Sequence, residues 1–224
     1  MKKIFLILFC FISINLNAQL KDTVFIKRTI SDSPYPFYHA IFIDSSPDSE
    51  HRKKLIDFKF NSFDSASYYE IINLLLPLNK IQNIKAGFPV KWITLNQYKG
   101  EYYLYRPSEA GYHFKFELTD SATIDYTMEG PIPGKIKRIK FDDDINCTIE
   151  REHPWESREV SIKIIDKQKG IAVFTFTGQK SDRWYHLMVD SKKANLFPVI
   201  VNYCITDKQG ELDFDSIDFN KLLK

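Results

Sequence analysis

From residue 91 to the C-terminus the chain is a succession of short segments in which apolar and polar residues alternate. Each ends at a turn too short to hold a helix. WITLNQY and EYYLYR flank Lys99-Gly100. In YHFKFELT, residues 112–119, Tyr112, Phe114, Phe116 and Leu118 oppose His113, Lys115, Glu117 and Thr119. TIDYTM repeats the pattern with Ile124, Tyr126 and Met128. In IKRIKF the residues Ile136 and Ile139 are out of phase, which predicts a β-bulge between them. INCTIE, VSIKII, IAVFTFT, RWYHLMV and PVIVNYCI follow, with a last short strand near 212–214. Parallel neighbours need crossovers of about a dozen residues or more, and these connections are shorter. About ten strands so joined predict an antiparallel meander, curled into a barrel or a strongly bent sheet.

The first ninety residues read differently. TVFIKRTI (23–30) and PFYHAIFID (36–44) have strand period, 45–54 is a polar connection, and LIDFKF (55–60) alternates like a third strand. A helix is predicted over 65–76. Ser67 and Glu70 fit a capping box, with Asp64 an alternative cap one turn earlier. Tyr68, Ile71, Ile72 and Leu75 form its apolar stripe, and Pro77 ends it. The fold class is mainly β, α+β on the N-terminal side, with residues 19–90 packing on the 91–224 meander as one compact domain.

Residues 1–18 stand apart. A Lys-Lys start, an apolar run over 4–14 and a small residue at Ala18 match a cleavable export signal, with cleavage expected between Ala18 and Gln19. The protein is therefore expected in the periplasm or outside the cell, and the short basic start fits a bacterial exporter. The apolar run is too short to span a bilayer, and no later stretch matches it, so the mature chain is expected to have no transmembrane segment. The chain has 31 Lys and Arg against 29 Asp and Glu; losing Lys2 and Lys3 with the leader makes the two equal. No basic field remains to attract nucleic acid. Eighteen Phe and twelve Tyr mark an aromatic-rich folded protein. Cys147 and Cys204 remain after export, either as a disulfide or as two buried thiols.

Catalytic signatures are missing. The five histidines have no zinc spacing, and no G-x-S-x-G, S-x-x-K, H-E-x-x-H or glycine-rich phosphate loop occurs, so neither a metal nor a cofactor is expected. Asp142-Asp143-Asp144 lacks a calcium loop's glycine and reads as a solvated turn. Candidate contact residues for a ligand or partner are the aromatics. Trp155 stands beside His153 in the polar loop REHPWESRE. In the 92–106 hairpin a two-residue turn pairs Leu95 with Leu104 and Gln97 with Tyr102. A turn with a bulge instead pairs Leu95 with Tyr103. We expect Leu104 and Tyr102 inward, because leucine is buried more often than tyrosine. Tyr103 and Tyr105 then share the other face with Trp92 and need cover from the helix, the N-terminal strands, a ligand or a partner.

Export, a β-meander and a helix give the chain a general shape that resembles lipocalin-like barrels. Their G-x-W is replaced here by Val90-Lys91-Trp92, so the resemblance transfers no site residues. The function expected is an exported, non-enzymatic binding protein for a small apolar or amphipathic ligand or an envelope partner. The alternatives are an assembly role in the cell envelope and an enzyme with a carboxylate or histidine site at a barrel mouth.

Overall fold

A computed structural model describes residues 23–31, 37–78, 80, 84–108, 114–154, 158–178, 180–205 and 210–224. The leader and its cleavage point lie outside these residues. β1 (Thr23–Ser31) and β2 (Phe37–Asp44) form a hairpin and precede two helices, α1 (Glu50–Leu55) and α2 (Ser62–Leu74). Then come β3 (Lys91–Tyr98), β4 (Glu101–Arg106), β5 (Lys115–Leu118), β6 (Ala122–Thr127), β7 (Gly130–Phe141), β8 (Asn146–Glu152), β9 (Glu159–Asp166), β10 (Ile171–Thr177) and β11 (Arg183–Asp190). A 3₁₀ turn over Ser191–Leu196, β12 (Val199–Cys204) and α3 (Phe219–Leu222) complete the chain.

Closure depends on β3. Its Trp92 is paired with Asp190 of β11 on one side and with Phe116 of β5 on the other. That double pairing joins β3 and β5–β11 into a closed eight-stranded antiparallel barrel. The second half of β3 leaves the barrel and pairs with β4, and β4, β12, β2 and β1 extend the sheet outward. One pair departs from the antiparallel reading: β12 runs parallel to β4, with Val199 opposite Leu104. All of β5–β11 separates these two strands in sequence, ample for a parallel connection.

The barrel interior is filled. Trp92, Phe116, Phe174, Phe176 and Met188 are among its fully buried side chains, with rings of Trp92, Phe116 and Phe174 meeting edge-on at 5.2 Å. The predicted bulge lies between Ile136 and Arg138, and it returns both Ile136 and Ile139 to this core. A second core covers the outer wall of β10, β11 and β3 and continues onto β4 and β12. The C-terminal segment closes part of it: Phe219 stacks on Tyr185 at 5.2 Å.

The 92–106 hairpin takes the two-residue turn. Lys99 (φ 52°) and Gly100 (φ 82°) both have left-handed backbone, Leu95 faces Leu104 and Gln97 faces Tyr102. The strained lysine is held from outside, since Asp215 Oδ2 accepts from Gly100 N at 2.8 Å. Leu104 is buried as expected.

Three local expectations are corrected. The long helix is Ser62–Leu74 and not 65–76. Its cap is Asn61, whose side chain accepts from Asp64 N while Asp64 accepts from Asn61 N, a capping box nearly two turns before Ser67 and Glu70. Residues 50–55 are helical and 56–60 are irregular, so LIDFKF is not a strand: Leu55 and Phe58, three apart, are buried, while Ile56 between them is exposed. Residues 212–214 form no strand. Their side chains Leu212 and Phe214 pack instead against Tyr105 and Ile200.

Candidate functional site

The structure separates the four candidate contact residues that it describes. Trp92 is wholly inside the barrel, its Nε1 donating to Pro89 O at 3.0 Å, so it meets no partner. Strand parity explains this, because the residues of β3 that continue the Tyr103 face point into the barrel. Tyr103 is half-buried with its ring edge-on to Tyr98. Tyr105 is buried under Phe214, ring centroids 4.8 Å apart. The cover over these tyrosines is therefore the C-terminal segment and the N-terminal strands, and not α2. Trp155 lies outside the described residues. Cys147 and Cys204 are free thiols on separate strands, Cys147 on the inner face of the barrel strand β8 and Cys204 at the end of β12 outside the barrel. Burial pushes the Cys147 thiol up to about 12.

His153 is drawn into a cluster at one barrel mouth. Arg151 donates from Nη1 to Asp125 Oδ1 at 2.8 Å and from Nη2 to Oδ2 at 2.7 Å. Its Nη1 also reaches Thr123 Oγ1 at 2.7 Å, and its guanidinium lies over the Phe176 ring. His153 Nε2 lies 3.4 Å from Asp125 Oδ2. Burial alone would raise the Asp125 carboxyl, but the Arg151 charge, hydrogen bonds from His153 and Arg151 and the His153 charge together outweigh it and hold it at about 2. Nearby, His186 stacks on Phe114 at 4.6 Å and burial depresses its imidazole to about 4. Gly134 makes the space: a Cβ there would sit 2.9 Å from Thr123 Oγ1 and 3.0 Å from Arg151 Cδ. Chemically, Asp125 is an acceptor with both oxygens engaged, a poor general base.

Tyr105 anchors a second polar network. Its hydroxyl donates to the Glu211 carboxylate and accepts from Leu212 N at 3.2 Å. Asn202 Nδ2 donates to Glu211 Oε2 at 2.9 Å, and His39 Nε2 lies 2.8 Å from Asn202 Oδ1. Ser108 gives Glu211 Oε1 its amide at 3.0 Å and its hydroxyl at 2.6 Å. Burial and the Glu211 bond raise the Tyr105 hydroxyl well above the ordinary phenol value. The network ties the segment after β12 to β4.

An open, unfilled site lies outside the barrel, between α1, the start of α2, the end of β4 and the β6–β7 turn. It is a cavity of about 320 Å³. Among the described lining residues, Lys54, Arg106 and Lys115 supply its cations and Asp64 its carboxylate. Leu55, Tyr126, Pro107 and Pro131 supply apolar wall. The Lys115 ammonium lies 4.8 Å from the Phe58 ring and 4.9 Å from the Tyr126 ring. Burial lowers its pKa, although Asp57, Asp64 and Glu117 act in the opposite sense. Tyr126 is held in place by Glu117 Oε2 at 2.7 Å and Phe58 O at 3.2 Å. The cavity of about 400 Å³ at the far barrel mouth differs, because its Lys85 and Lys167 both reach Asp144.

The sequence reading missed Lys54, Arg106 and Lys115, which lie on three separate elements. The one signal was the outward-facing trio Lys115, Glu117 and Tyr126, carried by adjacent strands. Among the described residues no three His, Cys, Asp or Glu side chains converge to hold a metal ion, and no helix is long and apolar enough to cross a membrane. No family model matches the chain, and neither a curated protein nor a solved structure matches it.

Proposed function

We propose that the chain is an exported, non-enzymatic binding protein that takes a small amphipathic ligand outside its barrel. The ligand's anionic end lies among Lys54, Arg106 and Lys115, and its apolar body rests on Leu55, Tyr126 and the two prolines. The observation that carries this reading is the charge imbalance of an apolar-walled cavity, three cations against Asp64 among the described lining residues. Its volume falls at the low end of the roughly 300–1,000 Å³ usual for small-molecule sites. The filled barrel directs the ligand to this outer site. Two facts favour binding over catalysis: the Asp125 carboxylate is committed to Arg151, and the Cys147 thiol is buried and protonated.

Native mass spectrometry of the protein purified from its own host tests the proposal. An added small-molecule mass is expected, and it is lost from Lys115→Met. A clean apo mass, together with no uptake of an added alkyl carboxylate, would remove the reading.

One observation favours the envelope-partner reading as a second possibility. β1 pairs only with β2 among the described residues, and Val24 and Ile30 on it are 61 % and 56 % exposed. Such an edge accepts a partner's strand. Introducing Ile30→Lys and finding every pulled-down envelope protein still present would eliminate it.

A further inference from the structure

A second cavity, of about 560 Å³, opens beneath α1 on the outer face of β1, β2 and β12. Four aromatic side chains line it: Phe25, Tyr38, Phe42 and Tyr203. They face one another as two tilted pairs, Phe25 with Phe42 at 5.9 Å and Tyr38 with Tyr203 at 6.0 Å. Phe25 and Tyr203 are each 42 % exposed, leaving ring surface open to the cavity.

The charge on the lining has one sign. Asp44, Asp48 and Glu50 contribute carboxylates, and no Lys or Arg is among the described lining residues. Asp44 is fixed by Ser46 N at 3.0 Å and by the Ser49 hydroxyl. Glu50 pairs with Lys53 at the rim. The one imidazole, His51, has its pKa lowered by burial and by Arg106, so it adds no positive charge at neutral pH.

A cation already approaches these rings. The Arg28 guanidinium lies 5.4 Å from the centroid of Phe25 and 5.6 Å from that of Tyr38. The bulge between Phe25 and Lys27 brings Arg28 onto the same face as Phe25. Ring faces are the negative ends of aromatic quadrupoles, and several of them around a desolvated cation make the usual recognition site for ammonium and guanidinium groups.

We propose that this cavity is a binding site for an organic cation, an ammonium or guanidinium group held by the four rings and neutralised by Asp44, Asp48 and Glu50. Arg28 occupies the edge of the site in the free protein and competes with the ligand. The group reaches the cavity either as a small free cation or as a lysine or arginine side chain of another protein. This inference does not rest on the cation-lined first cavity, and the two cavities share no lining residue.

The test is calorimetric titration of the full mature chain with choline, agmatine and an acetylated Gly-Arg-Gly amide. The neutral choline isostere 3,3-dimethylbutanol is the control. At least one cation should bind at least tenfold more tightly than the isostere. Binding by choline or agmatine identifies a free cation, and binding by the peptide alone identifies a protein side chain. Tyr203→Ala should weaken binding at least tenfold. Arg28→Ala should strengthen it severalfold, a direction that general loss of structure does not produce. Both residues lie at the surface, and unchanged circular-dichroism melts confirm the fold of each variant. Equal binding of cation and isostere, no binding of any cation, or an Arg28→Ala variant without gain would each overturn the proposal.

Discussion

Arg151 meets Asp125 inside the barrel mouth through two parallel hydrogen bonds, 2.8 Å and 2.7 Å long, with Thr123 taking a third. The Arg151 guanidinium also lies over the Phe176 ring, so the pair is packed against the aromatic core. Removing one partner strands the other charge in a buried site. Arg151→Met is predicted to destabilise the fold by about 3–5 kcal/mol, and Asp125→Leu with Arg151→Met together by less than that single change. Urea denaturation of the three proteins checks the order. A double variant less stable than the single one would show that the pair itself is favourable.

Gly134 tests the same cluster from the opposite side. An added methyl at this position meets Thr123 Oγ1 and the Arg151 side chain at about van der Waals overlap. Gly134→Ala is predicted to cost about 1–3 kcal/mol by overpacking, measurable as a lower urea midpoint at constant slope. Gly210→Ala, which meets nothing within 4 Å, should leave the midpoint in place.

His186 gives the protein a defined acid sensitivity. Its pKa falls from 6.5 to about 4 on folding, chiefly through burial. The unfolded chain therefore takes up this proton first. The stability that the neutral ring contributes is complete above about pH 6.5 and is lost as pH falls through 4. Asp125 acts in a lower window, its contribution complete above 3.8 and lost as pH falls through about 2. Thermal melts from pH 7 to 4 should show a falling midpoint that is flatter in His186→Phe. An identical slope in the variant would contradict the assignment.

Tyr105→Phe removes one donor from the Glu211 carboxylate while keeping the ring against Phe214. The cost is predicted at about 0.5–1.5 kcal/mol, the usual net worth of one hydrogen bond, since Glu211 is half-buried and keeps its Ser108 and Asn202 donors. Amide exchange should quicken at Leu212, whose N–H bonds to the Tyr105 hydroxyl. Unchanged exchange there would mean that the C-terminal segment is held by its apolar contacts alone.

Strand period made the barrel wall legible. The out-of-phase Ile136 and Ile139 located a bulge, and the preference of Leu104 for burial chose the hairpin register. Closure was not legible, because it depends on β3 meeting β5 at Trp92 and Phe116, a pairing that no local pattern announces. Helix α1 was hidden by its polar length, since the residues it buries are Leu55 and the charged Arg52. In the sequence Arg151 belongs to the polar loop REHPWESRE, and Asp125 alternates with the apolar residues of TIDYTM. Both faces of β6 are in fact covered, with Thr123 and Asp125 inside the barrel and Ala122 packed under α2. His153 was singled out in its loop, but its partner Asp125 lies on a distant strand and left no trace in the loop sequence.

The central claim is that an amphipathic anion binds at Lys54, Arg106 and Lys115. Calorimetric titration of the mature protein with octanoate, with octanol as the neutral control, tests it most directly. The account predicts single-site octanoate binding at least tenfold tighter than octanol, and loss of that preference in Lys115→Met. Equal affinity for the two compounds, or a preference that survives Lys115→Met, would contradict it.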